Sequence, residues 1–375
     1  MKPERPLFAA ASLFFPGKSF SGEKQGPGPL LSKGVISLYG PAQYAKRFLR
    51  GGAALLLALL LCAGGPVMAA GGSGGRTLVP VGHTVGIKLF SRGVVVVKLT
   101  DGGSPAKVCG LKTGDVIVAC NGAAVTSTEQ FQALLQENGN NAADLKIHRA
   151  GDSVNLSVEP AQNDAGVYCI GAWIRDSMAG IGTMTYYDPA TGAFGALGHG
   201  ITDTDTALLM PFSNGSILPS TVKAVKKGEA GSAGELRGDF DLTGDLGTLY
   251  ANTSSGIFGT LETVPEAQAV PVGTALPGPA VIRANIQGDT VEEYDVEILK
   301  VVSGATDGRD LILSVTDPAL LKATGGIVQG MSGSPILQNG QLVGAVTHVL
   351  LNDPAKGYGI LINHMLEASG VEQNV

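Results

Sequence analysis

The chain has 375 residues, a net charge of −6 and 55 glycines, and only 5% of its residues are aromatic. This length allows two or three domains with a sizeable core, and the glycine content indicates a turn-rich β protein rather than a helical one. The charge is too small to indicate any particular partner. Because no basic cluster lies outside the N-terminal region, nucleic-acid binding has no support.

The N-terminal part indicates export rather than a folded domain. Residues 1–45 predict a poorly structured tail, since Gly, Pro, Ser and Lys interrupt every apolar run. Residues 46–70 combine a basic flank, an apolar run and small residues, which are the three parts of an export signal. A cleaved signal peptide and an uncleaved membrane anchor both remain open. Either one sends the residues after about 71 across the cytoplasmic membrane, and residues 71–77 read as a flexible linker.

Three of the four cysteines follow the export segment, and an odd number cannot all pair with one another. No Cys-x-x-Cys or Cys/His spacing indicates a metal site, and no cofactor is expected. We expect Cys109, Cys120 and Cys169 to be small buried hydrophobic residues, with a Cys109–Cys120 disulfide as the alternative.

Residues 78–160 predict a small β domain with one longer amphipathic helix that starts at Thr128. The stretch 110–122, GLKTGDVIVACNG, resembles the core of a bacterial PDZ domain. That resemblance implies a groove in which a peptide adds a strand beside the helix. The residues expected to bind the peptide are Val85, Gly86, Ile87, Lys88 and Leu89. A PDZ-like fold that serves only as a scaffold is the alternative.

Residues 166–375 are expected to form a second domain. Between His199 and Ser332 the chain alternates short strands with Gly, Asn, Ser and Pro turns, which indicates a barrel or sandwich and is compatible with two small β-barrels that meet at a cleft. His199, one of five histidines, lies between two glycines at the predicted end of a hairpin's second strand. A lone histidine is more often a turn residue than a base. The glycines leave its ring unshielded, however, and a matching nucleophile lies downstream.

The candidate nucleophile is Ser332, in the stretch 330–335, GMSGSP. The Asn339-Gly340 pair that follows predicts a type I′ turn, because both central residues of that turn need φ > 0. Ser332 should therefore lie on a tight loop before an antiparallel pair. The pattern resembles the nucleophile loop of chymotrypsin-like proteases, with Ser334 where a glycine is usual. The resemblance implies an oxyanion hole formed by the N–H groups of Gly330 and Ser332.

The two motifs together with Thr347-His348-Val349 resemble the stage IV sporulation protein B family of serine peptidases, from about Leu78 onwards. The family resemblance implies a PDZ-like domain followed by a chymotrypsin-like double β-barrel. It assigns Ser332 as nucleophile, His199 as base and Asp317 as the acid that orients His199.

Other residues remain alternatives for two of these roles. Asp203 and Asp205 are alternative acids, and Asp317 also sits in an Asp-Pro pair that is common in turns. His348 lines a subsite in one interpretation and is the base in another.

The resemblance implies an exported serine endopeptidase in sporulation signalling, acting between the forespore and mother-cell membranes. Its expected partners are a membrane-bound protein regulator of an intramembrane protease, which it cleaves together with itself, a peptide ligand of the PDZ-like domain, and the membrane through the N-terminal segment. The alternative is a catalytically inert PDZ-type adaptor, which a fluorophosphonate probe for activated serines would distinguish.

Overall fold

The computed structural model describes residues 75–302, 304–305 and 308–370. The predicted tail at 1–45, the export segment at 46–70 and most of the linker at 71–77 lie outside the described residues. Among the residues that are described, no helix is both long and apolar enough to cross a membrane.

Strands dominate this part of the chain, so the prediction of a mainly β fold is confirmed. In chain order the strands are β1 (Thr77–Pro80), β2 (Thr84–Leu99), β3 (Val116–Cys120), β4 (Ala123–Ala124), β5 (Ala143–Arg149), β6 (Asp152–Val158), β7 (Ala161–Gln162), β8 (Tyr168–Cys169), β9 (Ala172–Tyr187), β10 (Ala193–Ala196), β11 (Phe212–Lys226), β12 (Glu235–Phe240), β13 (Gly247–Thr253), β14 (Gly256–Leu261), β15 (Val270–Pro271), β16 (Gly278–Gln287), β17 (Thr290–Val301), β18 (Leu311–Val315), β19 (Pro335–Gln338), β20 (Gln341–Val349) and β21 (Lys356–Leu361). The helices are α1 (Pro105–Val108), α2 (Thr128–Asn138), α3 (Pro318–Thr324) and α4 (Ile362–Ala368).

The first barrel is a ring of antiparallel strands. Strands β9, β10, β14, β13, β11 and β2 pair in that order, and β2 pairs back with β9. Side chains alternate between the two faces of a strand, so the apolar residues at every second position of β2 point inward. They join a core with residues from the other strands of the ring, including Val85, Ile87, Leu89, Phe194, Ile217 and Ile257.

The second barrel is closed by β16, β17, β18, β21, β20 and β19. In β17 the predicted alternation is confirmed, because Tyr294, Val296 and Ile298 are buried while the residues between them face outward. The predicted Asn-Gly turn between β19 and β20 is confirmed as well, with φ of 53° at Asn339 and 74° at Gly340.

A small domain, residues 94–175, is inserted between two long strands of the first barrel. The second half of β2 pairs with β3, the first half of β9 pairs with β2 on its other side, and β5 and β6 continue the sheet. Helix α2 covers this sheet and buries Phe131 and Leu135. The side chain of Ser127 caps the helix by accepting a hydrogen bond from Gln130 N.

The predicted boundaries at 78–160 and 166–375 differ from this pairing. β1 and residues 84–90 belong to the first barrel, whereas residues 172–175 extend the sheet of the small domain. The physical reason is that apolar residues at every second position predict a strand but do not show which strand it pairs with. Strands β2 and β9 each have one part in the first barrel and one part in the small domain.

The predicted peptide-binding residues Val85, Gly86, Ile87, Lys88 and Leu89 are wrong for the same reason. This stretch of β2 pairs with β9 along one edge and with β11 along the other. A strand with both edges paired has no main-chain groups left for an added peptide. Gly86 also lies against the β12 strand, since a Cβ there would be 2.5 Å from the Cβ of Phe240. The strands that contact α2 are instead β8 and the first part of β9.

Cys109, Cys120 and Cys169 are free thiols. Cys120 is fully buried, as expected, and the other two are half-buried. The alternative of a Cys109–Cys120 disulfide is therefore not what the structure contains.

Candidate active site

The loop that carries Ser332 joins α3 to β19 in the second barrel, and hydrogen bonds of its backbone hold it. Met331 N donates to Val328 O at 3.1 Å, Gly333 N to Val346 O at 2.8 Å and Ser334 N to Met331 O at 3.0 Å. Within the described residues, the backbone N–H groups of Gly330 and Ser332 donate to no partner. The two donors that the sequence assigns to an oxyanion hole are thus uncommitted.

Ser332 faces a cavity of about 410 Å³, whereas Ser334 does not. The Ser332 hydroxyl donates to Thr347 O at 2.8 Å. Ser334 is completely buried, and in the described part of the chain its hydroxyl has no hydrogen-bond partner. Only Ser332 can therefore meet a substrate.

The cavity is walled largely by apolar side chains, including Ile327, Val328 and Val349. Two cationic residues, Lys226 and Arg309, also line it, and the Arg309 guanidinium lies 5.3 Å from the centre of the Tyr358 ring. These apolar walls lower the local dielectric, which strengthens any electrostatic contact that Ser332 makes there.

His199 follows β10 in the first barrel, and an unusual backbone turn positions it. Leu197 and Gly198 have φ of 68° and 70°, and such a conformation is costly for a leucine. A Cβ at Gly198 would lie 2.9 Å from both Ile360 and Thr347. The turn therefore packs Gly198, the residue before His199, directly against β20 and β21 of the second barrel.

The imidazole of His199 is buried and neutral at neutral pH. Only 6% of the residue is exposed, and burial lowers its pKa while the Gly200 carbonyl opposes that shift. Nδ1 lies 3.0 Å from Gly200 O. Because a carbonyl oxygen only accepts, Nδ1 carries the proton, and Nε2 is the basic nitrogen.

A second imidazole lies beside the first. The ring centres of His199 and His348 are 5.3 Å apart, and His348 lines the cavity with Ser332. Burial, the neighbouring His199 and the positive charge of Arg309 lower the pKa of His348 to about 3. His348 is therefore neutral too, and it is placed to contact a substrate.

The loops that carry His199 and Ser332 touch across the two barrels. A Cβ at Gly333 would lie 2.6 Å from Leu197 N and still closer to Thr183 O. Leu197 is two residues before His199, and Gly333 directly follows Ser332. The fold thus brings together two motifs that are far apart in the sequence.

Asp317 is not at this site, so its assignment as the acid of a triad is wrong. Its carboxylate accepts from Leu320 N at 2.9 Å and from Asp295 N at 3.5 Å, and neither of these bonds reaches His199. Asp317 and Pro318 are the N-cap and first residue of α3, a pairing that helix starts favour. Gly308, which contacts the loop of His199, comes just before the first residue of β18. Asp317 comes just after the last residue of β18. The start of the strand and Asp317 are therefore separated by roughly 20 Å of extended chain.

Asp203 and Asp205, the alternative acids, are bound by Arg175 instead. Arg175 Nη1 pairs with the buried Asp203 carboxylate, and Nη2 lies 2.9 Å from Asp205. Asp203 also accepts from Thr206 N at 2.8 Å. These contacts order the loop after His199 without bonding to its ring. Sequence reasoning missed Arg175, because no local pattern connects β9 with that loop.

The residues that the structure describes contain no group of His, Cys, Asp and Glu side chains that could hold a metal ion.

Two closed barrels, with a serine from one and a histidine from the other where they touch, define a protein of the double-β-barrel serine peptidase class. The model of the SpoIVB peptidase S55 family matches residues 166–366, more than half of the chain, and a PDZ domain model matches residues 96–149. The chain belongs to the SpoIVB peptidase S55 family, as its motifs predicted, and it carries a PDZ domain.

Solved structures that resemble parts of the chain have low sequence identity to it. The Rv3671c protease from M. tuberculosis in its active form is 15% identical, with 52% of this chain and 77% of that chain covered and a TM-score of 0.29. The PDZ domain of an SdrC-like protein from Listeria monocytogenes is 21% identical, with 22% and 87% covered and a TM-score of 0.21. No curated protein matches the chain significantly.

Proposed function

We propose that the chain is a serine endopeptidase with Ser332 as nucleophile and His199 as general base and then acid. One observation carries the proposal: Ser332 faces a cavity on a loop that touches the loop of a neutral His199, and the N–H groups of Gly330 and Ser332 are uncommitted within the described residues. A serine hydroxyl needs a base to remove its proton and donors for the oxyanion that forms.

In the proposed mechanism, Nε2 of His199 takes the hydroxyl proton as Ser332 Oγ attacks the carbonyl carbon of the scissile peptide. The carbonyl oxygen becomes an anion that the N–H groups of Gly330 and Ser332 stabilise. His199 then protonates the leaving amine, and water releases the acyl group by the same steps. The Gly200 carbonyl holds the His199 tautomer that these steps require.

The test is covalent labelling of the full chain with a fluorophosphonate probe, followed by mass spectrometry of the labelled peptide. We expect the label on Ser332 and none in Ser332→Ala. An unlabelled, folded wild-type protein would favour the rival proposal of an inert PDZ-type adaptor.

The finer role we propose is sporulation signalling, with cleavage of a membrane-bound regulator of an intramembrane protease and of the chain itself. Membership of the SpoIVB family and the export-type sequence at 46–70 support this role. Export would place the protein between the two membranes of the sporulating cell, and a peptide ligand of the PDZ domain belongs to the same proposal.

N-terminal sequencing of the mature protein, from wild type and from Ser332→Ala, tests this role. A new N-terminus that appears only in the wild type indicates self-cleavage, and one that appears in both indicates a separate signal peptidase. Identical, uncleaved N-termini in both would contradict self-cleavage.

A further inference from the structure

Thr183 of β9 bonds to the Ser332 loop and to the His199 loop at once. Its N–H donates to Ser332 O at 3.0 Å, and its hydroxyl donates to Gly330 O at 2.7 Å. Its own carbonyl accepts from Leu197 N at 3.1 Å. Thr183 belongs to the first barrel and is 1% exposed. Thr183 does not line the cavity, yet it connects the loop of Ser332 with the loop of His199.

Each of the two carbonyl groups that Thr183 holds follows one of the proposed oxyanion donors along the chain. The Gly330 carbonyl fixes the peptide unit after the first donor, and the Ser332 carbonyl fixes the unit after the second. Gly330 has φ of 96°, a region that glycine enters and leaves at little cost because it has no Cβ. The hydrogen bond from Thr183 Oγ1 is therefore one of three that restrain Gly330, beside those from Met331 N to Val328 O and from Leu236 N to Gln329 O, and it is the one of these made by a side chain.

We propose that the Thr183 hydroxyl is a positioning group that keeps the N–H groups of Gly330 and Ser332 in the geometry that the proposed oxyanion hole needs. Thr183 touches no substrate and acts through Gly330. This inference rests on the proposed serine peptidase function. It adds that the first barrel supplies more than the base, since β9 also sets the geometry of the nucleophile loop.

The test compares two variants of the full chain that differ at the hydroxyl. Thr183→Val keeps the shape and the backbone N–H but removes the donor, whereas Thr183→Ser keeps a hydroxyl. Thr185→Val is the matched control, because Thr185 is equally buried on the same strand and its hydroxyl has no partner in the described chain.

The first measurement is saturation kinetics of fluorophosphonate labelling at Ser332. Loss of an oxyanion donor costs on the order of 100-fold to 1000-fold in rate, and Thr183 acts on the donors indirectly. We therefore expect Thr183→Val to lower the maximal labelling rate about 10-fold to 100-fold with an unchanged half-saturating concentration. Thr183→Ser and Thr185→Val should label like the wild type. A Thr183→Val protein that labels at the wild-type rate, or a Thr183→Ser protein as slow as Thr183→Val, would overturn the inference.

The second measurement is amide hydrogen exchange of the peptide that covers 329–334, which needs no activity. We expect faster exchange there in Thr183→Val and wild-type exchange in both other variants. If the wild type itself is not labelled, the proposed function fails, and exchange alone decides the inference. Unchanged exchange in Thr183→Val would then refute the role of the hydroxyl.

Discussion

Ser332 donates its hydroxyl proton to the carbonyl oxygen of Thr347 at 2.8 Å. The hydroxyl is thus directed at the edge of β20 rather than at His199. A peptide that adds a strand at this edge brings its own N–H groups to the backbone carbonyls. Such a peptide would compete for Thr347 O, and the freed hydroxyl could then turn to the base. We expect a bound peptide to favour the hydroxyl orientation that the base needs, in addition to the reactivity that a small probe detects.

The two serines of the loop should respond in opposite ways to replacement by alanine. Ser332→Ala should lower turnover by several orders of magnitude, since it removes the nucleophile. Ser334→Ala should keep measurable activity and be as stable as the wild type or more stable, because it removes a buried hydroxyl without a partner in the described structure. Labelling rates and urea unfolding of both variants measure this. A dead Ser334→Ala with a reactive Ser332→Ala would reverse the assignment.

The two histidines should separate in the same assay. His199→Ala should be as inactive as Ser332→Ala. His348→Ala should keep much of its maximal labelling rate and lose affinity for peptide substrates, because His348 lines the cavity. Since burial lowers the pKa of His199, the acid limb of the wild-type rate profile should lie below the usual histidine value of about 6.5. An active His199→Ala with an inactive His348→Ala would make His348 the base.

Local patterns predict much of this fold. The Asn339-Gly340 turn, the alternation in β17 and the glycine-flanked motifs of His199 and Ser332 depend on residues next to one another, so one sequence suffices. The pairing partners of β2, in contrast, do not depend on neighbouring residues and cannot be predicted in this way. Val85, Ile87 and Leu89 show that one face is buried, but nothing in them distinguishes an edge strand from a strand paired on both sides by β9 and β11.

The site divides in the same way. His199 and Ser332 stand out because glycines surround them, and the structure brings their loops into contact. Asp317 was misassigned because an Asp-Pro pair suits a helix start as well as a turn, and its side chain is used as a cap. Thr183 and Arg175 carry no local signal, since their partners are brought to them only when the barrels and the small domain close.

Stability should fall in acid because of His348. Its folded pKa of about 3 lies below the unfolded value of about 6.5, so the unfolded chain binds the proton first as pH drops. The contribution of neutral His348 to the free energy of unfolding is complete above about pH 6.5. It is lost between that pH and about 3, with a slope of up to about 1.4 kcal/mol per pH unit. Urea unfolding at pH 7 and pH 5 measures this loss.

In His348→Gln the loss of stability between pH 7 and pH 5 should shrink by up to about 2 kcal/mol, from the same slope over the part of that interval below pH 6.5. His148→Gln is the control, because His148 is exposed on β5. An equal loss of stability in wild type and His348→Gln would show that His348 is not held neutral by the fold.

The contact between the two loops should make Gly333 far less tolerant of a side chain than another glycine of similar conformation. Gly333 has φ of 98°, and a Cβ there would lie 2.6 Å from Leu197 N and closer still to Thr183 O, both of which are backbone atoms. Gly340 has φ of 74°, and a Cβ there would meet nothing within 4 Å. A left-handed conformation alone costs a non-glycine residue about 1 to 2 kcal/mol.

Gly340→Ala should therefore lose only that conformational cost, with labelling at Ser332 unchanged. Gly333→Ala should lose about 1 to 3 kcal/mol more, because overpacking against rigid backbone forces the loops apart. It should also label at least roughly 100-fold more slowly, since a misplacement of 1 Å between reacting groups has about that effect. Urea unfolding and labelling of the two variants decide the matter. Equal destabilisation of both would show that the loops carrying His199 and Ser332 do not depend on close contact at Gly333.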